Sequence, residues 1–104
     1  RPMGPFFRIR DSKGEEAFVE LIDPIGTIDG PYIRFETVAT MSVARMPGRD
    51  NIMATVCMTD GSSKNCDLKS DVLTGLERET GAAFRINVGN VRKIERALAT
   101  DSNK

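Results

Sequence analysis

The amino-acid sequence predicts a single small all-β domain of about seven short strands, arranged as a sandwich or as a strongly bent small barrel. Apolar and polar residues alternate in several short windows, which is the period of a strand with one buried face. Gly, Pro and Asp clusters separate these windows at intervals of about 8 to 15 residues. The 104 residues suffice for one hydrophobic core. We expect one β domain over residues 6–99, terminal tails at 1–5 and 100–104, and a chain that is a fragment of a larger protein.

The first half of the chain predicts three strands, of which the last is the longest. Residues 7–9 form a short alternation of Phe and Ile around an Arg. Residues 17–22 are apolar at nearly every position, which is typical of a strand covered on both faces. Over residues 32–43 the alternation is the cleanest in the chain, and it indicates one long strand or two strands joined at a bend. Turn-forming residues separate these strands, at 11–14, 23–24 and 26–31.

The second half predicts further strands and a segment with two interpretations. The predicted strands cover residues 52–58, 64–68, 72–76 and 82–88. After them, the spacing of Val91, Ile94 and Leu98 indicates a short amphipathic C-terminal helix. The alternative is a single turn over 91–94 that leads into a last strand over 95–99. The residues expected in the core are Ile33, Phe35, Val56, Phe84, Ile86 and Val88.

The two cysteines of the chain, Cys57 and Cys66, flank a predicted hairpin turn. A two-residue turn at Gly61-Ser62 places them opposite each other, where a disulfide fits. A turn at Asp60-Gly61 leaves them diagonal, and a three-residue turn sends them to opposite faces. The apolar pattern favours the three-residue turn, whereas an even number of cysteines in a small β domain favours a bridge. Both alternatives stay open, and a bridge would favour a periplasmic or secreted protein.

The composition excludes several classes of chemistry. The chain has no His, which removes Ser-His and Cys-His nucleophile pairs and His-ligated zinc. No Gly-rich phosphate-binding loop is present, and no apolar run is long enough to span a bilayer. We therefore expect a protein that is not an enzyme, with no catalytic residue, no cofactor, no metal ion and no membrane span in this segment.

The net charge of zero conceals an uneven distribution of charge along the chain. Residues 11–36 carry seven acidic side chains against two basic ones, whereas residues 85–98 carry four basic side chains against one acidic one. Such polarity can form complementary surfaces within the fold, a head-to-tail contact between copies or a docking face for another protein. The candidate partner-binding residues are Arg85, Arg92, Lys93 and Arg96. We expect an interaction module that binds a protein partner or forms a homo-oligomer.

The segment over residues 86–94, Ile-Asn-Val-Gly-Asn-Val-Arg-Lys-Ile, resembles the second signature of Sm-like proteins, in which a strand meets a Gly-Asn turn and then a basic strand. The resemblance implies a small barrel that binds nucleic acid through its basic C-terminal segment. Val88 stands where that family has Gly, and residues 66–69 do not match its first signature, so no RNA-binding residue is carried over. A pI near 6.5 and a single Tyr disfavour nucleic acid as the partner.

Overall fold

A computed structural model describes residues 5–28, 30–45, 52–69 and 72–97. Eight strands form one antiparallel sheet, and these residues contain no α-helix, so the prediction of an all-β domain is confirmed. The strands are β1 Phe6–Asp11, β2 Glu16–Leu21, β3 Val38–Arg45, β4 Ile52–Met58, β5 Ser63–Leu68, β6 Val72–Glu77, β7 Ala83–Asn87 and β8 Val91–Ala97. Their order across the sheet is β5-β4-β3-β8-β1-β2-β6-β7.

Apart from Pro5, the predicted tails lie outside the described residues. None of the described residues belongs to a helix long and apolar enough to cross a membrane.

One hydrophobic core draws on strands from both halves of the sheet. Ile94 lies in the central strand β8, while Val56 of β4 and Leu73 of β6 come from near the two edges. These three side chains are fully buried although the described residues contain no second sheet and no α-helix to cover them, so the sheet bends over its own face. Gly75 allows β6 to approach β2 closely, because a Cβ atom at this position would collide with the carbonyl oxygen of Glu20.

The segment over residues 32–43, predicted as one long strand or as two strands joined at a bend, divides at Phe35–Thr37, which form a 3-10 turn before β3. Phe35 is buried, and its ring meets that of Phe7 edge to face, with 5.5 Å between the ring centroids. The regular apolar spacing therefore reflects burial rather than continuous strand pairing. Hydrogen bonds from Arg96, far along the chain, hold the carbonyl groups of this turn.

The connection between β2 and β3 covers part of the outer edge of β5. The N–H of Ile28 donates to the carbonyl of Asp67 at 2.9 Å, and the N–H of Lys69 donates to the carbonyl of Gly26 at 3.3 Å. One end of β5 is thus paired on both sides, although β5 is the last strand on its side of the sheet. The two edges of the sheet are therefore not equivalent.

The prediction of a C-terminal helix is wrong, because this segment is strand β8. A 3-10 turn, Val88–Asn90, precedes the strand. The register between β8 and β1 shifts after Arg10, which is a β-bulge. The bulge lets Val91 and Ile94 both lie in the core although they are three positions apart. A bulged strand therefore produced the helix-like spacing, and Leu98, the third residue of that pattern, lies outside the described residues.

Candidate functional site

The four basic residues predicted to bind a partner do not form one surface. Arg85 lies on β7, whereas the other three lie on β8, and strands β1, β2 and β6 separate the two. Arg92 and Lys93 are exposed neighbours, and Nζ of Lys93 lies 3.6 Å from a carboxylate oxygen of Glu95. Arg96 is directed to the opposite side of the sheet, toward the core. The structure therefore brings only Arg92 and Lys93 together.

The guanidinium group of Arg96 binds backbone carbonyl groups. Its Nε donates to the carbonyl of Val38 at 2.9 Å, and its Nη2 donates to the carbonyls of Phe35 at 2.9 Å and Glu36 at 2.8 Å. Its Cζ lies 5.3 Å from the centre of the Phe7 ring. Arg96 thus attaches the 3-10 turn to β8. No local pattern in the sequence indicates this structural role, because the carbonyl groups that it binds lie in a distant part of the chain.

The two cysteines lie on opposite faces of the β4–β5 hairpin. Cys57 lies opposite Ser63 and faces away from the core, whereas Cys66 packs against it. The N–H of Met58 donates to the carbonyl of Ser62 at 2.7 Å, which leaves a three-residue turn between them. Both thiols are free. The disulfide alternative for Cys57 and Cys66 is therefore wrong, and the argument for a periplasmic or secreted protein no longer has support.

Strand β7 forms one edge of the sheet, and among the described residues it pairs with β6 alone. The N–H of Glu77 donates to the carbonyl of Ala82 at 2.9 Å. Because hydrogen-bonded pairs alternate along an antiparallel ladder, the next such pair includes Phe84. The N–H and C=O groups of Ala83 and Arg85 consequently point away from β6. They offer backbone donors and acceptors to a further strand.

A groove runs along the inner side of β7. Phe84 and Ile86 line it, and both are only half-buried, although the apolar pattern predicted them in the core. Ile9 and Ala17 of the β1–β2 hairpin complete its apolar lining, and its volume is about 260 Å³. The remaining lining residues are all acidic and form what we call the acidic rim: Asp11, Glu15, Glu16 and Glu77. We call the whole site the β7 groove, and none of the basic side chains in the described ranges lines it.

Local hydrogen bonds position three of the four carboxylates of the acidic rim. Asp11 accepts backbone N–H groups of its own turn. Glu77 accepts the hydroxyl of Thr80 at 2.9 Å. The guanidinium group of Arg10 donates to Oε2 of Glu16, and this hydrogen bond holds the pKa of the Glu16 carboxyl below its usual value. Glu16 is therefore ionised at neutral pH, with Arg10 as its counter-charge.

The acidic rim was not predicted from the sequence. Its members come from two hairpins, β1–β2 and β6–β7, and only the folded sheet brings them together. The excess of acidic residues over 11–36 was the one available signal, and it did not include Glu77. The sequence instead predicted partner binding at the four basic residues over 85–96.

A second cleft lies beside β5, where this strand meets the β2–β3 connection. Its volume is also about 260 Å³, and its lining mixes one cation with polar groups and one carboxylate. The lining residues are Thr27, Gly30, Pro31, Lys64, Asn65, Cys66 and Asp67. Only the first part of β5 is open here, because the backbone of Asp67 and Lys69 is already paired. This cleft therefore offers a shorter strand edge than β7 does.

Within the four described ranges, no group of three or more Cys, Asp or Glu side chains is placed to hold a metal ion. Comparison with known proteins finds no matching family model, no matching curated protein and no matching solved structure. The geometry of the β7 groove is therefore the basis on which a function can be assigned to this protein.

Proposed function

We propose that this protein is a non-catalytic β interaction module that binds an extended segment of another protein along β7. The observation that carries the proposal is the outer edge of β7, which directs backbone groups of Ala83 and Arg85 away from the sheet beside half-buried Phe84 and Ile86. An exposed strand edge is a template for another strand. Modules that bind peptides by strand addition combine main-chain hydrogen bonds with pockets for alternate side chains. The β7 groove offers both features.

The position of Arg85 favours a different chain over a second copy as the partner. If two copies paired through β7 about a two-fold axis at Arg85, the two guanidinium groups would lie opposite each other. Like charges at directly opposed positions destabilise strand pairing. A segment with an acidic or neutral residue opposite Arg85 meets no such repulsion.

The distribution of charge favours a protein over a nucleic acid as the partner. Phosphate binding needs several cations on one surface. Arg85 is separated from β8 by three strands, and Arg96 donates to backbone carbonyls instead. The β7 groove itself is lined by carboxylates, which repel phosphate. We expect labelled single-stranded RNA to show no binding by fluorescence anisotropy at low salt. RNA binding that weakens steeply with salt would favour the nucleic-acid alternative.

A peptide selection tests strand addition at β7. We expect a phage-displayed library of random peptides to give sequences that bind the protein and lose binding to the Arg85→Pro variant. Proline removes an N–H that an added strand needs and that β6 does not use, so the fold is retained. Arg85→Thr is the matched control, because it removes the same charge and keeps the N–H. Peptide binding to Arg85→Thr should stay within about threefold of the wild type, a change of the size that one exposed charge makes.

Two results of the selection would contradict the proposal. One is equal binding of the selected peptides to the wild type and to a folded Arg85→Pro variant, with circular dichroism as the check on folding. The other is a library that gives no binding peptide. Sedimentation of the protein alone provides a further check, since a dimer that Arg85→Pro abolishes would identify a second copy, and not another protein, as the occupant of the edge.

A further inference from the structure

We infer that the segment bound along β7 is basic on the side that enters the β7 groove, with Lys or Arg beside apolar residues. This inference rests on the proposed function and adds the chemistry of the bound segment. Its basis is the groove lining, in which four acidic side chains and no basic side chain of the described residues lie beside Phe84 and Ile86, and of these four only Glu16 is paired with a cation, Arg10. An extended peptide with the opposite charge is therefore the complementary occupant.

The alternation of side chains along a strand determines which positions of the segment enter the groove. Every second residue of an added strand lies on the same side of the sheet as Phe84 and Ile86. Apolar residues at the central positions of that series would cover these two half-buried side chains. Apolar cross-strand pairs of this kind stabilise strand addition.

Basic residues suit the flanking positions on the same side of the segment. Glu15 belongs to the turn before β2 and Glu77 to the end of β6, so carboxylates border the groove from two hairpins. The stems of Lys and Arg lie well on apolar surface while their charged ends extend beyond it. A segment with basic residues beside its apolar centre would therefore bring cations to these carboxylates.

The outer face of β7 sets a second preference. Arg85 is exposed and alternates with Phe84 and Ile86, so its side chain lies on the face away from the groove. An acidic residue of the segment at the position opposite Arg85 would form a cross-strand ion pair. The expected segment is therefore apolar and basic toward the groove and acidic at its centre on the other face.

The peptides selected on the protein test this inference through their composition and affinity. We expect Lys and Arg to exceed Asp and Glu at alternate positions of the recovered sequences. A recovered peptide should bind the Glu15→Gln, Glu77→Gln double variant about three- to tenfold more weakly than the wild type, as exposed ion pairs predict. Gln at position 77 keeps an acceptor for the Thr80 hydroxyl.

A charge-matched variant provides the control. Glu36→Gln with Glu95→Gln removes the same net charge at two residues outside the groove, and it should bind the peptide as the wild type does. Affinity for the wild type should fall as salt rises, and affinity for the groove double variant should respond less.

The possible failures separate the inference from the proposed function. The basic-segment inference alone would be overturned if the selected peptides bind Arg85→Pro more weakly than the wild type but contain no excess of Lys and Arg. In that case they would also bind the Glu15→Gln, Glu77→Gln double variant as tightly as the wild type. Peptides that do not discriminate against Arg85→Pro would overturn strand addition at β7 and the inference with it. Equal weakening by the control pair would also overturn the inference, because net charge would then explain the effect.

Discussion

Arg96 is the residue whose side chain connects the most distant parts of the chain. Its planar guanidinium group donates to three carbonyl groups, those of Phe35, Glu36 and Val38, and packs over the Phe7 ring. A lysine cannot reproduce this fork, since its ammonium is a single donor centre on a flexible stem. The carbonyl groups of a partly buried turn need such donors, because an unpaired buried acceptor is costly.

We expect the Arg96→Lys variant to lose about 1 to 3 kcal/mol of unfolding free energy, which is the usual cost of leaving buried acceptors without a charged donor. Urea denaturation at neutral pH measures this loss. Arg92→Lys is the control, because Arg92 is exposed on the same strand, and it should change stability by less than about 0.5 kcal/mol. Equal losses in the two variants would show that the carbonyl contacts of Arg96 do not stabilise the fold.

Among the elements, the β4–β5 hairpin shows how a turn decides which faces two side chains occupy. Gly61 has a φ of 95°, which a glycine adopts without strain. The carboxylate of Asp60 accepts both the hydroxyl and the N–H of Ser62, and these hydrogen bonds hold the pKa of Asp60 below its usual value. The resulting three-residue turn places Val56 and Cys66 on the buried side and Cys57 on the other.

We expect two titratable thiols per chain when the protein is denatured without reductant. Cys57 and Cys66 lie on opposite faces of the hairpin, and bridging them would require a change of register that removes Val56 from the core. Reaction with a chromogenic disulfide reagent counts the thiols, and a reduced sample supplies the full count. A protein purified without reductant that gives no thiol would contradict the register of this hairpin.

At the scale of the whole molecule, the two edges of the bent sheet are protected in different ways. The β2–β3 connection pairs with one end of β5 through Gly26 and Ile28. On β7, no described segment covers the edge, and a single exposed cation, Arg85, lies at its centre. Charged side chains on edge strands are a common defence against pairing between copies. Under the proposed function, the charge of Arg85 would oppose pairing between copies and leave the edge to a different chain.

Replacing Arg85 by valine should promote association between copies. The variant places an apolar β-branched residue at the centre of an open edge. We expect it to form dimers or larger species, and we expect the wild type to sediment as a monomer. Sedimentation velocity over a range of concentrations measures this change. Arg92→Val adds the same apolar side chain on β8, away from the edge, and should leave the protein monomeric. An Arg85→Val variant that stays monomeric would show that this charge does not guard the edge.

Much of the strand pattern could be predicted from single residues and their neighbours. The predicted bounds 52–58 coincide with β4, because alternation and flanking turns are local properties. Phe35, Val56 and Val88 are buried as expected. Phe84 and Ile86 carry the same apolar signal, yet they are half-buried, because burial depends on whether a further strand or loop covers them. The candidate site lies where no described segment provides that cover, so the apolar pattern alone could not reveal it.

Local patterns of apolar and turn residues predict an all-β chain, the strands β1 to β7 and most of the turns, since these follow from side-chain period and backbone sterics over a few residues. Pairing between distant strands decides the bulge in β8 and the carbonyl contacts of Arg96. It also decides that Glu15 and Glu77 border one groove beside an open edge. These features depend on strands that meet across long sequence separations, and no local pattern encodes which strand will be left without a neighbour.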